Sequence, residues 1–518
     1  MSVRAKVLTA IASVAGALLV PAMGSATPAP LVIPAIPGVA ALPGTTAAAA
    51  KPAAQMGTLT TKPDIAVAGT KVTISGTGLP ANKDVTLTWS TANVTWVVEA
   101  RPDSVDYFGR SATKLAVNLA TAKTDAKGAF TTTLAAPRDF GGIHDIYAVV
   151  DGIQYAKGGF LVARSAVMTP TRGPIGTPIT IRYDGIGSSL YEGGASLLWD
   201  NKYVGAMMAN WTRGTAIVKI RAAGPVGRHT VEVADAISYK YLNIQQSPIP
   251  WGNGKVMSFT VTKDNGRPKP AIDWPAKVAP TLDAKTTLQL ASAGSTNAAS
   301  ATLASQSGAV NTKVDLTASG LTPNAPVDLE WATVVGNRVN CSGTCWNFIS
   351  VPLGTATASA GGTLATKITV PDGLGGWHVV QVLQDGQVKA QTTYYVKRSF
   401  AEKTVSSLVL KAGQPFTVHL KGLGWTQLDN TIAVDYDNSY VGYGCGFNSN
   451  GDVVMNLVAS GAPGTHLIDM YPLLYTQQPS YANTPYGMVP VLTYARDLPG
   501  LALGYELPAM RLAITVVK

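Results

Sequence analysis

The chain has 518 residues, of which 46% are hydrophobic and only 14% are charged. At roughly 150 residues per domain this length predicts three or four domains, and the apolar content is sufficient for several packed cores. The formal net charge of +10 favours weak attraction to anionic surfaces such as wall polymers. Nucleic-acid binding is not expected, because the Lys and Arg residues are scattered along the chain rather than gathered into a stripe.

The first 26 residues are typical of a secretory signal peptide. Arg4 and Lys6 precede an apolar run from Val7 to Val20, and small residues before and at Ala26 suit a cleavage site. The apolar run is shorter than the ~20 residues needed to cross a bilayer. We therefore predict cleavage near Ala26, with an uncleaved anchor as the alternative. The mature protein is then secreted, extracellular or associated with the cell envelope, without an integral membrane segment.

Two low-complexity stretches divide the remaining sequence. Residues 27–56 are rich in Ala and Pro and predict a flexible or polyproline-biased spacer. A second spacer is predicted at residues 264–305. Elsewhere, short alternating runs lie between Gly, Pro and Asn turns, a pattern that indicates β-strands. We predict an all-β protein of four tandem immunoglobulin-like sandwich domains, at residues 57–165, 166–263, 306–398 and 399–518.

Self-comparison shows that a two-domain unit is duplicated. GTKVTISGTGLPANKDVTLTW, which ends at Trp89, matches NTKVDLTASGLTPNAPVDLEW, which ends at Trp331. In the second and fourth domains, GTPITIRYDGIG parallels GQPFTVHLKGLG, and WDNKYVG from Trp199 parallels YDNSYVG from Tyr436. The third domain is therefore similar to the first, and the fourth to the second.

Each repeat has features of a sandwich. Asp151-Gly152 and Asp385-Gly386 predict two-residue hairpin turns. Trp89 and Trp331 end V-x-L-x-W strands, where an immunoglobulin-type fold places its central core tryptophan. The chain lacks the cysteine pair that joins the two sheets in antibody domains, so it resembles bacterial immunoglobulin-like and IPT/TIG-like repeats from about residue 57 to 518, apart from the spacer. That resemblance implies the fold and an extracellular setting, and it carries no activity with it.

Four of the five histidines occupy one repeated position. Each follows a Gly-x turn and opens an alternating strand, where related sandwiches often place a Tyr or His that forms a hydrogen bond back across the corner between strands. We predict a structural role for all four, with a metal or catalytic role as the alternative. They are His144, His229, His378 and His466.

The three cysteines divide into a pair and a single residue. Cys341 and Cys345 are separated by three residues in a turn-like insertion, which predicts a local disulfide in an oxidising compartment. Cys445 aligns with Met208, and a buried apolar thiol is the expectation for it. Pairing of Cys445 with another chain is the alternative.

Two aromatic and Pro-rich insertions are the main candidates for ligand binding. YKYLNIQQSPIPWG lies in the second domain and YPLLYTQQPSYANTPYG in the fourth. Exposed Tyr and Trp suit sugar rings or protein partners. Alternatively, the loops cover a neighbouring domain. The candidate binding residues are Tyr241, Trp251, Tyr475, Tyr481 and Tyr486.

The sequence contains no Gly-x-Ser-x-Gly, His-Glu-x-x-His or Gly-Lys-Ser/Thr motif. We therefore predict a non-enzymatic protein with no cofactor and no metal, although the oxygen-rich run from Asn448 to Asp452 leaves calcium as an alternative. The predicted function is a secreted, envelope-associated or extracellular structural or adhesion protein. Its expected partner is an envelope polymer, including an anionic glycan, or a surface protein. A carbohydrate-binding protein that uses the Tyr/Trp-rich loops, and a secreted hydrolase or its accessory module, are the alternatives.

Overall fold

The computed structural model describes residues 45–101, 104–188, 194–210, 212–235, 239–240, 242–243, 245, 254–273, 299–336, 346–425, 431–474, 489–493 and 508–518. No helix occurs in these ranges, and the predicted all-β class is confirmed. The described residues therefore contain no helix that is long and apolar enough to span a membrane. The strands follow one another in four groups along the chain.

Group 1 precedes residue 164. Its strands are β1 Lys51–Lys62, β2 Ile65–Val67, β3 Lys71–Gly76, β4 Asp84–Arg101, β5 Ser104–Lys123, β6 Phe130–Ala135, β7 Gly142–Val150 and β8 Ile153–Ala163. They pair in the order β5-β4-β7-β8-β1-β3-β6, with β2 on β8. β1 begins inside the segment that was predicted as a spacer, because Lys51 and Pro52 pair with β8.

Group 2 repeats this order in two separate sheets. Its strands are β9 Ser165–Thr169, β10 Arg172–Gly173, β11 Pro178–Asp184, β12 Gly194–Trp199, β13 Lys202–Met208, β14 Thr215–Arg221, β15 Gly227–Ala234 and β16 Lys255–Val261. The large sheet is β10-β16-β15-β12-β13, and the small sheet is β14-β11-β9.

Group 3 has the same two sheets. Its strands are β18 Ser300–Leu303, β19 Ser307–Gly308, β20 Lys313–Ser319, β21 Pro326–Gly336, β22 Trp346–Thr357, β23 Leu364–Thr369, β24 Gly376–Gln384 and β25 Gln387–Val396. They form β19-β25-β24-β21-β22 and β18-β20-β23. Two strands lie inside the segment predicted as the second spacer: β18 and the preceding two-residue strand β17 (Ala271–Ile272). They are part of the sheets, because β18 pairs with β20 and β17 pairs with the last strand of the chain.

Group 4 completes the series. Its strands are β26 Ser399–Val405, β27 Val409–Lys411, β28 Pro415–Lys421, β29 Thr431–Tyr436, β30 Ser439–Cys445, β31 Val453–Val458, β32 Gly464–Leu474, β33 Val489–Pro490 and β34 Met510–Val517. The large sheet runs β17-β34-β32-β29-β30, with β27 on β34 and β33 on β32, and the small sheet is β26-β28-β31. This strand order, with a short strand parallel to the last one, is that of an immunoglobulin-like sandwich.

Alternation explains why these segments form half-buried strands. In β20, for example, Val314, Leu316 and Ala318 are buried while the residues between them are exposed. The predicted hairpin turns are confirmed: Asp151-Gly152 and Asp385-Gly386 adopt positive φ between paired strands. Trp89 is a buried core residue as predicted. However, its strand continues to Arg101 rather than ending at the tryptophan, and the strand of Trp331 likewise continues to Gly336.

The packing of the cores is less regular than the repeat. Group 1 and group 3 each have a core cluster of their own, whereas one continuous cluster contains residues of groups 2 and 4 together with Trp377 and Tyr395 of group 3. A smaller cluster joins groups 3 and 4. The prediction of four separate domains therefore stays a prediction, because strand order supports four sandwiches and packing joins groups 2, 3 and 4.

Two joints built from glycines connect groups 1 and 2 and groups 3 and 4. The Gly141 amide donates to the Ile186 carbonyl at 3.0 Å, and the Gly375 amide to the Leu423 carbonyl at 2.8 Å. A Cβ on Gly141 would lie 1.9 Å from the Gly185 carbonyl oxygen. At these positions the backbones approach so closely that only glycine fits.

Candidate functional site

The candidate ligand and disulfide residues all fall outside the described residues. The seven are Tyr241, Trp251, Tyr475, Tyr481, Tyr486, Cys341 and Cys345. They remain predictions. The repeated histidines, by contrast, are all described.

Each repeated histidine is buried near the start of a strand of the large sheet. In every group its Nε2 lies close to the carbonyl oxygen of the residue four positions earlier. Because a carbonyl can only accept, Nε2 carries a proton and donates. The pairs are His144 and Phe140 at 2.7 Å, His229 and Pro225 at 2.7 Å, His378 and Leu374 at 2.9 Å, and His466 and Ala462 at 2.8 Å.

Each imidazole also stacks on an aromatic ring of the adjacent strand. The ring centroids are 4.3–5.5 Å apart and the planes are inclined by 15–29°. Such offset stacks add to the stabilisation from buried area. The pairs are Trp89 with His144, Trp199 with His229, Trp331 with His378, and Tyr436 with His466.

The second ring nitrogen divides the four sites into two kinds. In groups 1 and 3, Nδ1 faces a backbone carbonyl, at 2.8 Å from Ser90 and 3.3 Å from Ala332. In groups 2 and 4 it faces a carboxylate, at 2.6 Å from Asp200 and 2.5 Å from Asp437. In the sequence, the WDNKYVG and YDNSYVG segments that contain these Asp residues show no evident link to the histidines. The signal that links them is an Asp directly after the core aromatic residue in the two even-numbered groups alone.

The pKa values of His378 and His466 are shifted in opposite directions. Burial of His378 lowers its pKa to about 4, against weaker opposing hydrogen bonds to backbone carbonyls. Burial also opposes the charge on His466, but the hydrogen bond and the charge of Asp437 outweigh it, so the pKa of His466 is raised. His378 is therefore neutral near pH 7, whereas His466 tends to form an ion pair with Asp437.

A buried ion pair joins groups 2 and 4. Arg221, at the end of β14, donates from Nε to the Asp469 carboxylate at 2.8 and 3.0 Å and from Nη2 to the Leu512 carbonyl at 3.0 Å. Nη2 also contacts Asp469. Asn438 Nδ2 donates to the Arg221 carbonyl at 2.8 Å. Bidentate contact of this kind satisfies charges that would otherwise be costly to bury.

A second buried carboxyl group lies beside this pair. Asp435 is directly opposite Asp469 on the neighbouring strand and is fully buried. Neither of its carboxyl oxygens has a hydrogen-bond partner among the described residues. Burial, and then the charge of Asp469, hold the pKa of Asp435 well above its usual range. The arrangement therefore favours a protonated Asp435.

A segment that follows the aromatic insertion of group 4 lies on group 2. Residues 489–493, which we name the strap, bridge both sheets of that group: Val491 pairs with Ala206 of β13, and Thr493 pairs with Val218 of β14. The Leu492 amide donates to the Ala206 carbonyl at 2.9 Å, and the Leu492 side chain is buried in the shared core. This segment covers a neighbouring group. Residues 475–487 of the insertion itself lie outside the described residues, so the choice between ligand binding and contact with a neighbouring domain stays a prediction.

The oxygen-rich run considered for calcium is engaged in ion pairs. Lys421 Nζ donates to Asp452 at 3.0 Å, and His419 contacts the same carboxylate. Burial alone would raise the pKa of Asp452, but these two partners outweigh it and the pKa is lowered. Within the described ranges, no three His, Cys, Asp or Glu residues converge as metal ligands would.

The expectation of a buried thiol at Cys445 is wrong. Cys445 is exposed, although it takes the register position of the fully buried Met208, as the alignment predicted. The cause lies in the surroundings: the strap pairs with β13 of group 2 beside Met208, whereas the contact of β30 with β13 leaves Cys445 exposed among the described residues.

Comparison with known proteins gives no family. No protein-family model matches the sequence, and no curated protein matches it. Solved structures with some likeness include an α2-macroglobulin from Salmonella, at 10% identity and a TM-score of 0.16, over 87% of this chain and 30% of that one. An adhesin, InvE, from Yersinia pseudotuberculosis has 12% identity and a TM-score of 0.15, over 49% and 66% of the two chains. The N-terminal eight Ig domains of Down Syndrome Cell Adhesion Molecule have 12% identity and a TM-score of 0.16, over 78% and 50%. The chain thus spans about a third of the first of these proteins and half to two thirds of the other two. The assignment of an immunoglobulin-like fold rests on the strand order described above.

Proposed function

We propose that this chain is a secreted, non-enzymatic structural or adhesion protein of the cell envelope or extracellular space, built from four immunoglobulin-like domains of the IPT/TIG-like kind. The observation that carries this proposal is the joining of groups 2 and 4 by one core and a buried Arg221–Asp469 pair. Such packing fixes distant parts of a chain relative to each other, which suits a rigid scaffold rather than a set of independently moving modules.

The use of the histidines supports the same proposal. We assign His144, His229, His378 and His466 to pinning the corner before each strand, because each donates to a carbonyl four residues earlier and stacks on the core aromatic residue. A catalytic base needs access to a substrate proton. Side chains that are buried in stacks at the same position of every group are poorly suited to that task.

Binding and turnover assays on one preparation test the proposal against both alternatives. The purified chain is incubated with intact envelope material, with purified wall glycans and with a panel of glycan substrates. We expect saturable retention on the envelope material, no saturable binding to the purified glycans and no released product.

Two outcomes would replace the proposal. Saturable glycan binding that is lost when Tyr241 and Trp251, or Tyr475, Tyr481 and Tyr486, are changed to Ala would establish the carbohydrate-binding alternative. Product release that disappears on substitution of a single carboxylate would establish a hydrolase. Circular dichroism and thermal melts of each variant show whether the loss reflects binding or folding.

A further inference from the structure

The two homologous groups differ at the open side of the sandwich, between β13 and β14 in group 2 and between β30 and β31 in group 4. The register of the strands shows which positions are equivalent. Gly205 corresponds to Gly442, because they pair with Leu197 and Val434 at the same place in the two sheets. Met208 corresponds to Cys445 in the same way. In group 2 this side is closed by the strap, which contacts one edge strand of each sheet.

The strap reaches the core of group 2 over a glycine. A Cβ on Gly205 would lie 2.7 Å from Leu492 Cγ and 2.8 Å from the Pro490 carbonyl oxygen. Leu492 thus occupies the space that a side chain at Gly205 would need, and it belongs to the same buried cluster as Met207. An extended apolar segment from outside the group completes this sandwich.

Within the described part of the chain, the equivalent side of group 4 is open. A Cβ on Gly442 would meet no atom within 4 Å, and Gly444 replaces the core residue Met207. The result is a groove of about 700 Å³ between β30 and β31, which lies within the ~300–1,000 Å³ typical of binding pockets. Val441 and Tyr443 at its rim are 51% and 45% exposed, where their counterparts Val204 and Ala206 are fully buried.

The groove is suited to an uncharged, extended occupant. Its floor is formed by Val434, Val453 and Met455 together with the two glycines. The one charged residue in its lining, Asp452, is already paired with Lys421 and His419. Within the described part of the chain, β30 and β31 are each the last strand of their sheet, where a further strand can add, and β30 also contacts β13 of group 2.

We propose that the groove between β30 and β31 binds an extended apolar segment of a partner protein, in the way that group 2 binds the strap. The segment adds to the edge of β30 through main-chain hydrogen bonds and places a Leu-like side chain over Gly442. Its chemistry is that of the strap: β-branched and Leu residues interrupted by proline, without charge. The inference goes beyond the proposed function and does not depend on an extracellular location.

A synthetic peptide with the sequence of residues 488–494 is the probe. Cys445 lines the groove and is exposed, so its reaction with a maleimide reports occupancy, with a Cys445→Ser chain to measure the reaction of the other cysteines. We expect the fluorescent peptide to bind the full chain saturably with one site and to slow maleimide reaction at Cys445.

Gly444→Met is the decisive variant, because it places at the groove the side chain that group 2 carries at Met207. A Cβ there would lie 3.0 Å from Val453 Cγ1 and 3.1 Å from Met455 Sδ, contacts that flexible side chains can relax. We expect peptide affinity to fall at least about tenfold as the space is filled, with thermal stability maintained. Val256→Met, at a position that is 63% exposed on β16, is the matched control and should leave binding unchanged.

Each other outcome overturns the proposal. Peptide binding that survives Gly444→Met would mean that the peptide displaces the strap from group 2. A Cys445 thiol that reacts only after unfolding would mean that the chain itself covers the groove. Concentration-dependent dimers that Gly444→Met abolishes would identify a second copy as the occupant. No saturable binding at all would exclude a strap-like partner, and none of these assays uses envelope material, so they are independent of the test of the proposed function.

Discussion

The residue directly after the core aromatic residue decides which group the Nδ1 atom of each repeated histidine faces. Where the chain has Ser90 or Ala332, the imidazole faces a backbone carbonyl, and where it has Asp200 or Asp437, the imidazole faces a carboxylate. The aromatic stack and the hydrogen bond from Nε2 are shared. The four positions are therefore one structural element in two electrostatic versions.

Removal of a corner histidine should destabilise the fold. His378→Ala or His466→Ala deletes a buried donor and leaves a carbonyl unpaired, which should lower the free energy of unfolding by about 1–3 kcal/mol. His419→Ala is the matched control: His419 is only half-buried and contacts a surface carboxylate, so its loss should cost about 0–1 kcal/mol. Urea unfolding measures the three values. Equal costs for all three would contradict the corner role.

His378 and His466 should have pKa values shifted in opposite directions from the ordinary value. His466 has a raised pKa in the folded chain, so the stability it contributes is present below the unfolded value of about 6.5 and is lost as the pH rises through the folded pKa. His378 has its pKa lowered to about 4, so stability falls as the pH falls from about 6.5 towards that value. NMR titration of the imidazole protons measures both. Asp437→Asn should lower the pKa of His466 and leave His378 unchanged, and a reversed order of the two pKa values would contradict the assignment.

The sequence predicts residue positions better than residue partners. Gly-x-His before an alternating strand recurs in all four groups, and recurrence indicates a common place in the fold. The carboxylate partner of His229, however, lies 29 positions earlier, and only the pairing of two strands brings it close. Cys445 is a second example. Its alignment with Met208 is correct, but the exposure of its side chain depends on which other parts of the chain pack against it.

At the scale of elements, the joints between adjacent groups are duplicated along with the strands. Gly141 pairs with Gly187 in the first joint, and Gly375 pairs with Gly424 in the second. Both joints have a backbone oxygen within 2 Å of where a Cβ would stand. Hairpin turns and core strands could be predicted from local alternation and turn residues. These joints could not, because a glycine that is needed for close approach looks like any turn glycine in the sequence.

Alanine at a joint should separate the paired groups. Gly141→Ala or Gly375→Ala forces the backbone apart and should cost about 1–3 kcal/mol. Gly159→Ala is the control, since its Cβ would meet only Ile143 Cγ2 at 3.8 Å. Chemical denaturation and limited proteolysis compare the variants, and we expect faster cleavage near residue 164 in Gly141→Ala. If Gly141→Ala behaves like Gly159→Ala, the close approach at the joint is not required.

At the scale of the whole chain, groups 2 and 4 are joined although group 3 lies between them in sequence. Arg221 and Asp469 are 248 positions apart, and the strap extends from group 4 to Ala206. Local patterns contain no information about such a contact. The strap, which follows the aromatic insertion in sequence, is an example, because Leu492 is buried in the core shared by groups 2 and 4.

We expect Asp435 to make the stability of the contact between groups 2 and 4 depend on pH. Its raised folded pKa means that its contribution to stability is full below the unfolded value of about 3.9 and is lost as the pH rises through the folded pKa. Above that pH the chain must bury a second carboxylate beside Asp469 or open the contact. Asp469 faces this carboxyl from β32. The other titratable and charged groups near the two carboxyls are Tyr471 on β32, Tyr203 on β13, Tyr440 on β30, Arg221 on β14, Arg511 on β34 and Asp437 directly after β29.

Asp435→Asn should therefore remove a pH-dependent penalty. The amide matches the protonated acid in shape and cannot ionise, so urea midpoints of the variant and the parent chain should agree near pH 4 and diverge as the pH rises, with the variant more stable by about 1–3 kcal/mol at alkaline pH. Asp435→Leu, which copies Leu198 at the equivalent position of group 2, should show the same pH profile. Asp385→Asn, in an exposed hairpin turn that Asn also suits, should leave the profile of the parent chain unchanged. Parallel pH profiles for Asp435→Asn and the parent chain would show that Asp435 is ionised and paired throughout, and that the contact between groups 2 and 4 tolerates two adjacent carboxylates.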